Sequence, residues 1–171
     1  MAVNGSPWMT PLVGSGRPTV GDLMSLCEEN YRALMRLIPD LRLIQGEELC
    51  VLDRGQDLHL EVLEQTPFTS LLRLTYYFPY EDGLAHRMKS SEPDALLRVY
   101  HDVRQAEVLN LRQTVLPLRN HYEYPALAAK WKVNLFLSKW LRFCLDQGYR
   151  FPEKTRASVG SHTRGIAPIS T

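Results

Sequence analysis

The chain has 171 residues, 44% of them apolar, and 20 Lys+Arg against 19 Asp+Glu give it a formal net charge of +1. That is enough for one ordinary domain with a respectable core and too little for two independent ones. So balanced a charge excludes an overall field for nucleic acid or anionic membrane and leaves only local basic clustering as a route to either.

The first 18 residues are rich in Gly, Ser and Pro and lack a periodic apolar pattern that would offset their ordering entropy, so residues 1–18 read as a flexible N-terminal tail. The start Met1-Ala2-Val3-Asn4-Gly5-Ser6-Pro7 is not an export signal, and no apolar run approaches the roughly 18 residues that cross a bilayer. A cytoplasmic protein without a membrane segment is expected. Thr19 followed by Asp22 is a helix N-cap with an acidic third position, and Leu23, Leu26, Cys27, Tyr31, Leu34 and Ile38 recur at helical spacing up to Pro39.

After Pro39 the period changes to two. Leu58, Leu60 and Val62 alternate with His59 and Glu61, and Leu72, Leu74, Tyr76 and Phe78 alternate with Arg73, Thr75 and Tyr77, which predicts two half-buried strands joined around Gln65-Thr66-Pro67. A less regular stretch from Leu41 to Leu52 supplies a further strand, turning at Asp53-Arg54-Gly55-Gln56. Residues 79–94, with Pro79, Gly83 and Pro93, read as a long loop and a binding edge. Leu96 to Val103 and Glu107 to Val115 are the next two strands. From Pro125 the pattern is helical again, with Val133, Phe136, Leu137, Trp140, Leu141, Cys144 and Leu145 on one face and Gly148 at the stop. The expected fold is α+β: an antiparallel meander of about five strands flanked by an N-terminal and a C-terminal amphipathic helix. It forms one domain over residues 19–152, with a flexible C-terminal tail over 153–171.

The densest concentration of chemistry is Arg98-Val99-Tyr100-His101-Asp102 with Ala106-Glu107-Val108. Strand alternation puts Arg98, Tyr100 and Asp102 on one face and Leu97, Val99, His101 and Val103 on the other, so Tyr100, His101 and Asp102 are not a ready-made catalytic trio. A tight connection at Val103-Arg104-Gln105 would let Asp102 approach Glu107 across the hairpin, with Arg98 pairing either carboxylate. A structural ion-pair network and a polar ligand site both fit that pattern. His101 is either a neutral core histidine or a general base; a carboxylate/histidine hydrolase would need His101, Asp102, Glu107 and Tyr122 to converge in one concave site.

Cys27, Cys50 and Cys144 are odd in number and widely spaced, which indicates neither a disulfide framework nor a zinc module; they read as small core side chains. No glycine-rich phosphate loop or nucleophile elbow is present, and no cofactor or metal is expected. Arg32 and Arg36, one helical turn apart, permit a joint grip on a small anionic ligand. On the second helix Lys132 and Lys139 share a side, Arg142 lies close to it, and Trp131 and Leu135 fall on this basic flank. Such a strip suits a protein partner or RNA, or marks a wide buried stripe with snorkelling lysines.

The ordered set Leu26-Cys27-Glu28-Glu29-Asn30-Tyr31, Leu37-Ile38-Pro39, Arg98 to Asp102, Ala106-Glu107-Val108, Tyr122-Glu123-Tyr124-Pro125, Asn134-Leu135-Phe136-Leu137 and Trp140 to Leu145 resembles the proteobacterial YqiB-like family that carries the DUF1249 domain. The resemblance covers roughly residues 22–149. It implies a bacterial domain without an assigned reaction, and it draws attention to Tyr100, His101, Asp102, Glu107, Tyr122, Asn134, Trp140 and Arg142 as site or framework residues. The leading functional expectation is a non-enzymatic protein-binding or adaptor module. The alternatives are a small-anion or nucleic-acid binder and, behind those, a carboxylate/histidine hydrolase. A homodimer through an uncovered sheet edge or the second helix is compatible with the same sequence.

Overall fold

The Thr19 side chain accepts the Asp22 amide at 3.2 Å, and the Asp22 carboxylate accepts the Thr19 amide at 2.8 Å. This reciprocal capping box starts helix α1 (Val20–Leu37) and satisfies donors that a helix start leaves unpaired. The computed structural model describes residues 17–81, 87–113 and 126–154. Beyond α1 come a 3-10 turn at Leu41–Leu43, strands β1 (Gly46–Cys50), β2 (Leu58–Gln65), β3 (Thr69–Glu81), β4 (Arg87–Tyr100) and β5 (Gln105–Arg112), and helix α2 (Ala126–Asp146). The tails expected at 1–18 and 153–171 fall, except for residues 17, 18, 153 and 154, outside the described residues.

The five strands form one antiparallel sheet in the order β1-β2-β3-β4-β5, the expected meander. Alternation sends Leu58 and Leu60 of β2, Leu72, Leu74 and Tyr76 of β3, Leu97 and Val99 of β4, and Ala106 and Val108 of β5 to one side. There they meet Leu34, Leu37 and Ile38 at the end of α1 and Leu137, Trp140, Leu141 and Cys144 of α2 in one continuous core. Each fully buried leucine contributes about 1.5–3 kcal/mol relative to exposure, which is why both amphipathic helices lie on the same face of the sheet.

Two expectations need correction. Residues 79–94 are not a long loop: β3 runs to Glu81 and β4 starts at Arg87, so Pro79 and Pro93 lie within paired strands and only residues 82–86 fall outside the description. Continuous pairing along β3 and β4 overrides the punctuation those prolines signal. The strand expected over Leu41 to Leu52 shrinks to Gly46–Cys50, because the Gln65 side-chain amide donates to the Leu41 and Ile44 carbonyls at 2.7 and 3.0 Å and holds the preceding segment as a turn.

Helix α2 stops as its glycine predicts. Gly148 has φ +89, its amide donates to Leu145, and the Tyr149 amide donates back to Cys144, the paired bonds of a Schellman motif. The chain then reverses under the helices. Tyr149 and Phe151 are buried, and the Phe151 amide donates to the Leu37 carbonyl at the end of α1.

Candidate functional site

Glu107 organises the polar end of the β4–β5 hairpin. Arg98 sits directly opposite it in the register, the Tyr100 hydroxyl donates to its Oε1 at 2.7 Å, and Lys130 of α2 approaches its Oε2 at 3.5 Å. Burial, reinforced by the bond to Glu107 and opposed by Arg98, pushes the Tyr100 phenol above its usual range. With a partner on each oxygen, Glu107 ties strand to strand and sheet to helix.

His101 belongs to a different environment. It opens the turn 101–104, in which Arg104 adopts φ 54, so β4 ends at Tyr100 and Asp102 and Val103 are exposed turn residues instead of strand residues. His101 Nε2 lies 2.8 Å from the Ser70 hydroxyl, its ring meets Tyr31 of α1 edge-on at 6.4 Å, and its amide donates to the Phe68 carbonyl. Burial, aided by the Arg42 charge and opposed by Asp102, lowers its pKa. Ser70 is fully buried and His101 half-buried, and the bond between them fastens the β2–β3 turn to the next hairpin. The expected approach of Asp102 to Glu107 does not occur; Tyr100 and Lys130 take the two carboxylate oxygens instead. His101 turns to the helix side while Tyr100 and Glu107 stay on the other, and Tyr122 lies outside the described residues.

Asn134, a candidate contact residue, is buried. Its Oδ1 accepts the Val108 amide of β5 at 3.1 Å, its side-chain amide donates to the Lys130 carbonyl at 2.9 Å, and its own carbonyl accepts from the buried Asn30 side chain at 3.2 Å. Cys27 lies beside this amide, 3.9 Å from Oδ1. Burial, with the nearby Glu107 charge, pushes the Cys27 thiol up to about 11, which makes it inert packing. Cys50 and Cys144 are likewise buried and reduced, as expected.

The outward face of α2 is different. Asn134, Leu137, Trp140, Leu141 and Cys144 fill its buried side, whereas Lys132, Lys139, Arg142 and Phe143 are exposed and Leu135 and Phe136 are half-covered. Phe143 leaves 52% of its surface in water. Trp131 is half-buried at the margin of this strip. The strip therefore holds Lys132, Leu135, Lys139 and Arg142 as the helical spacing indicated and adds Phe143, while Phe136 packs against the core beside Trp140, as its place on the apolar face predicts.

Residues 33–150 match the family model described as "Protein of unknown function (DUF1249)". The chain belongs to the DUF1249 family. It is also similar to "Uncharacterized protein YqiB" of Escherichia coli strain K12, at 30% identity over 136 residues, covering 77% of this chain and 91% of that protein; the proteins of the same name in the O6:H1 and O157:H7 strains match to the same extent. No solved structure matches.

In this DUF1249 chain the sheet face away from the helices carries a charge ladder. Arg73 reaches Glu61 at 3.3 Å and Asp94 at 3.5 Å, and Asp94 in turn meets Arg112 at 3.5 Å, so the ladder crosses β2 to β5. A shallow groove beside it is lined by Glu47, His59, Glu61, Arg73, Thr75 and Tyr77, with His59 edge-on to Tyr77 at 4.5 Å. As expected, Tyr76 is core and Tyr77 shares the outward face with Arg73. Among the described residues no three His, Cys, Asp or Glu side chains converge to hold a metal ion, and no helix is long and apolar enough to cross a membrane.

Proposed function

We propose that this protein is a binding module whose contact surface is the outward face of α2, with a protein as its partner. The observation that carries the reading is Phe143: a large aromatic ring 52% exposed on a helix whose other face is fully packed, flanked by the exposed cations Lys139 and Arg142. Exposed aromatic and Arg side chains grouped on a rigid element are what protein interfaces enrich. The polar groups a catalytic reading would use are engaged inside the fold: Glu107 by Tyr100 and Lys130, and His101 by a buried serine.

Nucleic acid fits the geometry less well. A continuous basic track would have to join the α2 cations to Arg73 or Arg98, but both strand arginines lie on the sheet face opposite the helices, Arg73 bridging Glu61 and Asp94 and Arg98 facing Glu107. A small anion held by Arg32 and Arg36 is also disfavoured, since Arg32 already pairs with Glu28 on its own helix.

A photo-crosslinking residue at Phe143, installed in the full chain in bacterial cells, tests the proposal, with Phe68 in the β2–β3 turn, 64% exposed, as the comparison site. The expected result is a discrete, protease-sensitive and nuclease-resistant adduct from position 143 only. Equal adducts from both sites, or nuclease-sensitive adducts alone, contradict it.

A further inference from the structure

No further inference is drawn: the strongest candidate, the surface patch at the end of the sheet where the neighbouring β2–β3 and β4–β5 turns expose Phe68 and Val103 beside Arg104, carries nothing because nothing in the structure shows what covers it.

Discussion

Asn134 of α2 accepts the amide of Val108 on β5 at 3.1 Å, so a helix side chain closes hydrogen bonding at the edge of the sheet as a further strand would. An open edge is a template for unwanted pairing, and natural proteins cover or charge it. Here Asn134 of α2 takes up one outward amide of β5, whereas β1 at the opposite edge carries consecutive glutamates, Glu47 and Glu48. Asn134→Leu should leave the Val108 amide and the Lys130 carbonyl without their present partner and destabilise the protein by about 2–3 kcal/mol. Urea unfolding measures the loss, and faster hydrogen exchange at Val108 localises it.

The Tyr100–Glu107 bond predicts a coupling. Tyr100→Phe and Glu107→Gln are each expected to cost about 1 kcal/mol, and the double variant should cost less than the sum by about 0.5–1.5 kcal/mol. Strict additivity in chemical denaturation would mean that the 2.7 Å bond contributes no specific stability.

His101 gives the protein a pH dependence of defined sign. Its folded-state pKa is depressed from 6.5, so below that value the unfolded chain binds the proton more readily and folding is weakened. The His101 contribution is fully present well above its ordinary value of 6.5 and is lost as pH falls below it toward the depressed folded-state value. Melting temperature measured across that window should drop more for the wild type than for His101→Gln, whose amide retains hydrogen bonding to Ser70 without titrating.

Gly148 isolates a backbone effect. A Cβ built there meets nothing within 4 Å, so Gly148→Ala is free of clashes and carries only the cost of a left-handed residue, about 1–2 kcal/mol. Equilibrium unfolding should show that loss, with the α2 outward face unaltered.

Thiol labelling tests the core assignment. With Cys27 and Cys144 each raised to about 11 by burial, the thiolate at about pH 8 is on the order of one part in a thousand. Both should resist iodoacetamide in the native protein and react fully in urea; rapid native labelling would show that the helices open readily.

Much of this structure is legible in the sequence because its period is regular. Leu58-His59-Leu60 and Leu72-Arg73-Leu74 alternate cleanly, and Thr19/Asp22 and Gly148 delimit their helices by local chemistry alone. The extension of β3 and β4 through residues 79–94 was not legible, since Pro79 and Pro93 argue locally against strands and only pairing between two distant segments overrides them. The same holds for the site. Alternation separated His101 from Tyr100 correctly, but the hairpin turn moved Asp102 out of the strand, and the partners that define Glu107 and Asn134 come from elements far away in sequence: Lys130 on α2 for one, Val108 on β5 and Asn30 on α1 for the other. The family resemblance drew attention to Asn134 as a site or framework residue, and it acts here as framework, satisfying a buried backbone amide.

The most direct measurement of the binding function is capture from a bacterial lysate by the full-length protein and, in parallel, by the Lys139→Glu/Phe143→Ser variant, each with and without nuclease. The proposed function predicts a stoichiometric protein, resistant to nuclease, that is retained by the wild type and lost from a variant of unchanged stability. Equal retention by both proteins would contradict the assignment of binding to the outward face of α2.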